Sequence, residues 1–186
     1  KAGVLALQGD FREHARAFAD AGATPVEIRT PEDLSGVACL AIPGGESTTI
    51  AKLARTYGLV EPVRERASAG MPILGTCAGM IVLDREHLGL ADLVVDRNAY
   101  GRQVRSFEAE VAFAGDERPF EGVFIRAPRI RELGPEVEVL GEMDGKPVLV
   151  RDGRLLLAAF HPELTDDTRV HERFLDIVRE ETHVGA

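Results

Sequence analysis

The sequence has few aromatic residues, few cysteines and no long apolar stretch. Aromatic residues make up 5% of the 186 residues and tryptophan is absent, so we expect a core of aliphatic side chains. Two cysteines, Cys39 and Cys77, cannot form a disulfide framework; one bridge is chemically possible, but we expect a reduced, cytoplasmic protein. No apolar run reaches the ~18 residues of a membrane span, and we expect no signal peptide.

The charge balance and the histidine spacing exclude further classes. Asp and Glu number 31 against 22 Lys and Arg, which gives a net charge of -9. An acidic protein is repelled by nucleic acid and by anionic membrane surfaces, so we expect neither as the main partner. The five histidines are scattered and no Cys/His spacing resembles a zinc site, so no metal is expected.

The first half of the sequence alternates between short apolar runs and amphipathic segments. The apolar runs predict strands at residues 4–7, 26–28, 39–42 and 72–74. Helices are predicted from Asp10 to Gly22, from a cap at Ser47 or Thr48 toward Tyr57, and at residues 60–69 and 78–84. This order is typical of a parallel sheet covered by helices on both faces.

The second half is richer in strands and short turns. Strands are predicted at residues 104–113, 123–126, 137–140, 147–151 and 155–160, and Asp152-Gly153 indicates a β-hairpin. An amphipathic helix bearing Val170, Phe174, Ile177 and Val178 follows. We expect one domain over residues 1–186, an α/β fold of three layers (α/β/α, flavodoxin-like) with a mixed, largely parallel central sheet.

Residues 75–79, GTCAG, lie between a predicted strand and a predicted helix. The pattern is the thiol version of a nucleophile elbow, in which a sharp turn lifts Cys77 above the carboxyl end of the sheet, where such folds bind ligands. At a helix N-terminus the dipole favours a thiolate. The alternative is a buried cysteine in a tight turn. Cys39 lies inside an apolar strand without an elbow and is expected to be an inert core residue.

A thiol nucleophile needs a base, and His161 follows another predicted strand. Glu163 is two residues further on, so in an extended segment both side chains face the same side, and Pro162 stiffens the link. Cys77, His161 and Glu163 are therefore candidates for a catalytic triad. Alone, His161 would be interpreted as a capping or surface residue. The remaining histidines are expected to be structural or solvent-facing: His14, His87, His171 and His183.

Residues 43–48, PGGEST, follow the third predicted strand. The glycines before a helix resemble a phosphate loop, but the lysine and the spacing of that motif are missing. An oxyanion hole is the better interpretation, because the successive glycines Gly44 and Gly45 permit an unusual peptide orientation that can aim an N–H at a developing negative charge. The N–H of Ala78, directly after the nucleophile, would be the second donor.

Together these motifs resemble the class I (triad-type) glutamine amidotransferases. One branch, the glutaminase subunits of pyridoxal 5'-phosphate synthase (the PdxT family), is similar over nearly the whole sequence. The matching segments, in order, are residues 7–9 (LQG), 40–49 (LAIPGGESTT), 75–79 (GTCAG), 95–98 (VDRN), 101–104 (GRQV), 124–128 (FIRAP) and 160–165 (FHPELT). The departure is residues 84–91, where many relatives carry a longer insert; it touches no motif.

The resemblance implies hydrolysis of L-glutamine to L-glutamate and ammonia without a cofactor. Cys77 would attack the side-chain amide carbon and form a γ-glutamyl thioester, His161 would carry the proton, and Glu163 would hold the ring. Gly45 and Ala78 would supply the oxyanion N–H groups. The glutamine contacts of the family fall on Gly45, Glu46, Ser47, Arg97, Ile125 and Arg126. A zwitterionic ligand does need an acidic and a basic partner near its main-chain end.

The resemblance also implies a partner, the pyridoxal 5'-phosphate synthase subunit, in a hetero-oligomer. We expect a glutaminase domain to fill the sequence. Free ammonia is mostly protonated at neutral pH, so the partner that uses it is expected to dock near the active site. The Gly44-Gly45 peptide offers a switch that docking would turn, and Gln8 could help hold the turned state.

Two other classes of function remain open from the residues. A different thiol hydrolase, peptidase-like or deglycase-like, would use a similar sheet but a different base and no PGGEST motif. A non-catalytic subunit that kept the fold is the second alternative, and the complete set of Cys77, His161 and Glu163 argues against it.

Overall fold

Strands and helices alternate through most of the chain, and the computed structural model describes residues 1–97, 99 and 106–180. The strands are β1 Ala2–Leu5, β2 Pro25–Ile28, β3 Cys39–Ile42, β4 Ile73–Thr76, β5 Leu93–Asp96, β6 Ser106–Phe113, β7 Phe120–Ile125, β8 Arg129–Leu133, β9 Glu138–Met143, β10 Lys146–Asp152 and β11 Leu155–Ala158. The helices are α1 Phe11–Asp20, α2 Pro31–Ser35, α3 Ser47–Thr56, α4 Val60–Ser68, α5 Ala78–Leu83 and α6 Arg169–Glu180, and Pro162–Leu164 forms a 3-10 turn. No helix in the described ranges is long and apolar enough to cross a lipid bilayer.

The described strands form one large mixed sheet and one small pair. The large sheet has nine strands in the order β2-β1-β3-β4-β11-β10-β9-β6-β7. From β2 to β11 neighbouring strands are parallel. From β11 to β7 they are antiparallel, beginning with the predicted hairpin between β10 and β11. β5 and β8 form the separate antiparallel pair. The α/β class and the mixed central sheet predicted from the sequence are confirmed.

Helices cover both faces of the large sheet. The chain steps from β1 to β2 in one direction and then through β3 to β4 in the other, and parallel crossovers are right-handed. α1 therefore lies on one face, and α2, α3 and α4 lie on the opposite face. α6 joins α1, where the rings of Phe174 and Phe18 are 6.0 Å apart. α5 packs against α3 and completes the second helical layer.

The central parallel strands are buried from end to end. Every residue of β1, β3, β4 and β11 is buried, which explains why these runs are apolar throughout instead of alternating. The expected aliphatic core is found in these strands. Phenylalanine contributes more than the composition suggests, because five of the eight are fully buried: Phe18, Phe120, Phe124, Phe160 and Phe174.

Several local expectations were wrong or incomplete. The cap of α3 is Glu46 rather than Ser47 or Thr48, so the helix begins at Ser47, one residue earlier than a Ser47 cap would give. Asp10 occupies the N-cap of α1, but its side chain makes no capping hydrogen bond. The sequence did not predict α2, β5 or β8. The predicted strand 104–113 is described from Ser106 onward.

Candidate active site

The carboxyl ends of four neighbouring strands meet at one edge of the large sheet. β1 leads to Gln8, β3 to Gly44 and Gly45, β4 to Cys77, and β11 to His161. The strand order reverses at β1 and β3, which is the kind of switch point where open α/β sheets bind ligands. The motifs that are far apart in the sequence are therefore adjacent in the fold.

Cys77 lies on a sharp turn between β4 and α5. Its backbone has φ 50° and ψ -105°, a conformation that a non-glycine residue adopts only where the surroundings enforce it. The Cys77 N–H donates to the Ala158 carbonyl at 2.8 Å, and Sγ lies 3.6 Å from the Ile125 carbonyl oxygen. A Cβ at Gly79 would be 2.0 Å from the Ile42 carbonyl oxygen, so this turn needs glycine there. The geometry is that of a nucleophile elbow.

Cys39 has a different environment. It lies inside β3 and is 1% exposed. Neither Cys39 nor Cys77 forms a disulfide. Burial raises the pKa of Cys39 to about 11. This thiol is therefore neutral at physiological pH and suits a core position.

Two carboxylates approach the same nitrogen of the His161 imidazole. Nδ1 is 2.7 Å from Oε1 of Glu163 and 3.2 Å from Oδ2 of Asp10. The predicted pairing of residues i and i+2 is present, but Glu163 lies on a 3-10 turn and not in the extended segment that was expected. Asp10 was not predicted here, and its position explains why it does not cap α1. The signal available in the sequence was its place just after β1, beside the strand that carries Gly44.

The charge state of His161 follows from these neighbours. Burial of the ring opposes its charged form, but hydrogen bonds to the side chains of Asp10, Cys77 and Glu163 outweigh it and raise the pKa to about 12. The ring thus holds a second proton readily, and Nδ1 donates to a carboxylate. Such a ring can hold a proton on Nε2 and give it to a leaving group.

Two buried histidines stand behind Glu163. His14 Nε2 lies 3.4 Å from Glu163 Oε2 and 2.9 Å from Thr76 Oγ1, and His14 Nδ1 lies 2.9 Å from His171 Nε2. Burial lowers the pKa of both rings, for His171 to about 4, so both are neutral. His14 and His171 are 0% exposed, which excludes a solvent-facing position. Both neutral rings pack behind the carboxylate, whose Oε2 accepts no hydrogen bond from the described residues.

The Gly44-Gly45 loop is tied to the loop after β1. The Gly44 carbonyl accepts a hydrogen bond from the Asp10 N–H at 3.1 Å, and the Glu46 N–H donates to Gln8 Oε1 at 2.8 Å. Gly45 has φ +147°, and a Cβ at Gly44 would be 2.3 Å from His161 Cε1. Glycine is therefore required at both positions.

A cavity of about 550 Å³ opens beside Cys77. It is bordered by ten of the predicted residues, namely Gln8, Gly45, Glu46, Ser47, Cys77, Ala78, Arg97, Ile125, Arg126 and His161. Gly44 and Glu163 are not part of this lining; both contact His161 instead. The structure thus brings together the predicted nucleophile, base, oxyanion donors and glutamine contacts around one space.

The charged residues of the cavity differ in how they are paired. Glu46 Oε1 lies 3.4 Å from Arg126 Nη1, and Arg126 has φ 45° at the end of β7. Arg97 instead donates to two neutral acceptors, Thr48 Oγ1 and His87 Nε2, each at 3.1 Å. The cavity therefore presents both charge signs, as a zwitterionic amino acid requires.

Residues 84–91 were expected to touch no motif, and this was wrong. The segment carries His87, whose ring contacts Arg97. Sequence reasoning could not find this contact because it depends on side-chain packing between a loop and the end of β5. Other predicted positions lie outside the described residues: Asn98, residues 101–104 and His183.

Among the described residues, one cluster has donor atoms close enough for a metal ion. Asp10, His161 and Glu163 offer ligand atoms within 4.8 Å of one another. The 2.7 Å separation of Nδ1 and Glu163 Oε1 matches a hydrogen bond, which places a proton where an ion would lie. A hydrogen bond between His161 Nδ1 and Glu163 Oε1 therefore accounts for this geometry.

Comparison with known proteins shows which family the chain resembles. A model of the SNO glutamine amidotransferase family matches residues 4–180. The pyridoxal 5'-phosphate synthase subunit PdxT of Desulforudis audaxviator is 54% identical over 187 residues, which cover 96% of this chain and 98% of the relative. The protein of the same name from Thermus thermophilus is 53% identical over 184 residues, 94% of this chain and 96% of the relative.

Solved structures give the same result. A crystal structure of glutamine amidotransferase superposes with a TM-score of 0.90 and 49% identity, covering 96% of this chain and 98% of that one. The structure of PurLQS from Thermotoga maritima, with a TM-score of 0.75, 15% identity and 97% coverage of both chains, shares the fold. The family model matches nearly the whole chain, the relatives are similar over almost their full length, and an elbow cysteine lies beside a histidine. This chain therefore belongs to the SNO glutamine amidotransferase family.

Proposed function

We propose that the chain hydrolyses L-glutamine to L-glutamate and ammonia through a Cys77-His161-Glu163 triad. The observation that carries the proposal is the strained elbow that holds Cys77 beside a doubly supported imidazole, at the edge of a cavity with both charge signs. Family membership supports the same chemistry. Residues 1–186 then act as one glutaminase domain.

The reaction has two halves. The Cys77 sulfur attacks the side-chain amide carbon, and the thiol proton is held on Nε2 of His161. His161 gives this proton to the amide nitrogen as the carbon–nitrogen bond breaks, so that ammonia leaves. Water attacks the resulting γ-glutamyl thioester, with His161 accepting a proton from the water and returning one to the sulfur. Glu163 holds Nδ1–H throughout and stabilises the imidazolium. L-Glutamate leaves and the free thiol is restored.

Negative charge develops on the amide oxygen in both halves. We assign its stabilisation to the backbone N–H groups of Gly45 and Ala78, which border the same cavity as Cys77. Ala78 is the first residue of α5, so its N–H has no partner within the helix. The Gly45 N–H depends on how the Gly44-Gly45 peptide is turned.

The main-chain end of glutamine needs partners of both signs. We assign the ammonium group to Glu46 and the carboxylate to Arg97, because Arg97 forms no ion pair with any carboxylate in the described part of the chain. Arg126, held 3.4 Å from Glu46, would orient that carboxylate. Gly45, Ser47 and the Ile125 backbone complete the contacts that we propose for the substrate.

The ammonia acceptor is assigned by similarity. The relatives at 53–54% identity are pyridoxal 5'-phosphate synthase subunits. We propose that this chain delivers ammonia to a synthase subunit within a hetero-oligomer for vitamin B6 synthesis, and that it works in the cytoplasm, where its two free thiols stay reduced.

A product assay tests the proposed function. With the synthase subunit present in excess, the chain should release glutamate and ammonia from L-glutamine in equal amounts and should leave peptides of similar size uncut. Trapping of Cys77 by a glutamine-mimicking electrophile should abolish the release. Peptide cleavage would favour the peptidase-like alternative, and a Cys77 that such a reagent does not modify would favour a non-catalytic subunit.

The two support residues of the triad should differ in importance. We expect His161→Ala to lower kcat by more than ~10³-fold, since it removes the group that moves the proton. Glu163→Gln should cost less, because glutamine can still accept a hydrogen bond from Nδ1 and Asp10 remains 3.2 Å from the same atom. Steady-state kinetics at matched folded fraction measure both; equal or reversed losses would contradict the roles assigned here.

A further inference from the structure

A buried aspartate, a loop histidine and the cavity arginine form a chain of hydrogen bonds outside the triad. Asp84 Oδ1 lies 2.7 Å from His87 Nδ1, and His87 Nε2 lies 3.1 Å from Arg97 Nη2. We propose that His87, fixed by Asp84, is a positioning residue that aims Arg97 at the carboxylate of the substrate amino acid. The proposal rests on the proposed function, because it gives Arg97 the role of a glutamine contact.

The hydrogen bonds allow one protonation state of the ring. Asp84 is 0% exposed and its carboxylate accepts N–H bonds from the backbone of Glu86 at 2.9 Å, of His87 at 3.1 Å and of Val95 at 3.4 Å. It acts as an acceptor here, so the proton of the imidazole is on Nδ1. Arg97 can only donate, so Nε2 is the bare acceptor of a neutral ring.

Neither partner of Arg97 is a carboxylate, which suits a residue that binds the carboxylate of a substrate. A carboxylate partner would fix the guanidinium but also compete with the incoming carboxylate for it. Thr48 Oγ1 and His87 Nε2 orient two of its nitrogens, and no described carboxylate forms an ion pair with it. Arg126 differs, since it already faces Glu46. A planar guanidinium held at two points can offer its remaining donors in a fixed direction.

A purely structural role for His87 predicts something different. In that case its purpose would be to bind the buried Asp84 and so close the turn after α5, and the contact with Arg97 would be incidental. The two roles use different nitrogens of the ring. Nδ1 serves Asp84, and Nε2 serves Arg97. Asparagine and glutamine separate them, because the Asn amide reaches the position of Nδ1 and the Gln amide reaches that of Nε2.

The experiment compares His87→Asn with His87→Gln in the complex with the synthase subunit. His87→Asn keeps a donor for Asp84 but removes the acceptor for Arg97, so we expect the KM for glutamine to rise about 5- to 20-fold with kcat changed less than about twofold. His87→Gln should restore KM toward the wild-type value through its Oε1, at some loss of thermal stability. Glu86→Gln, in the same loop and exposed, is the matched control and should leave KM unchanged.

A coupling measurement completes the test. Arg97→Ala should raise KM, and adding His87→Asn to Arg97→Ala should raise it no further, because the histidine acts through the arginine. If Arg97→Ala raises KM but His87→Asn does not, or if Asn and Gln raise KM equally, the positioning role is wrong while the proposed function stands. If Arg97→Ala leaves KM unchanged in an active complex, both the glutamine contact and the inference fail. Calorimetric binding of glutamine by the same folded variants gives a readout independent of turnover.

Discussion

Replacing Cys77 by alanine is expected to lower glutamine hydrolysis by well over ~10³-fold while leaving the fold intact. The substitution removes the sulfur that forms the thioester, and neither His161 nor the oxyanion donors can replace it. Cys77 sits on a turn whose backbone is held by the Ala158 carbonyl and by close packing at Gly79, so these restraints survive the loss of the thiol. Ammonia release in the complex measures the activity, and thermal unfolding checks the fold.

Cys39→Ala is the matched control. Its thiol is buried in β3 and its pKa is raised to about 11, so it cannot serve as a nucleophile at neutral pH. We expect full activity and a loss of about 1 kcal/mol in the free energy of unfolding, as for other small cavities in a core. Appreciable glutaminase activity in Cys77→Ala would refute the triad. A folded but inactive Cys39→Ala would show that the wrong thiol had been chosen.

The parallel part of the fold and the main site residues could be predicted from the sequence for physical reasons. A strand buried on both faces must be apolar along its whole length, and β1, β3, β4 and β11 are. Glycines follow β1, β3 and β4 because the backbone there approaches other atoms closely, as at Gly9, Gly44 and Gly79. Cys77 and His161 follow such strands directly, so their place at one edge of the sheet could be derived.

The residues that support His161 and Glu163 could not be predicted from the sequence in the same way. Asp10 looks like a helix cap and His14 like one polar residue on an amphipathic helix, yet Asp10 contacts His161 and His14 contacts Glu163. These contacts depend on how α1 is packed against the sheet, which no local pattern encodes. β8 was missed for a related reason: its residues are largely exposed and charged, and it is a strand only because it pairs with β5.

Binding of the synthase subunit is expected to have the second large effect on glutaminase activity. The isolated chain should be a poor glutaminase, and saturating synthase subunit should raise its activity by about 10²–10³-fold or somewhat less, the value of one oxyanion donor. The donor in question is the Gly45 N–H. Because the peptide between Gly44 and Gly45 is trans, its N–H points away from its carbonyl, and turning one turns the other.

The bonds around this peptide indicate how docking can act on it. The Gly44 carbonyl is held by the Asp10 N–H, and the next peptide is held by Gln8 through the Glu46 N–H, so both anchors come from the loop after β1. A partner that contacts this loop can shift the balance between two orientations of the glycine peptide, since glycine rotates at low steric cost.

The effect is measured by comparing the glutaminase activity of the chain alone with its activity in excess synthase subunit. Formation of the complex is shown independently. Gln8→Ala should reduce the activation and leave the formation of the complex unchanged. Equal activity with and without the bound partner would refute the switch and leave the triad standing, because the triad residues do not depend on how this peptide is turned.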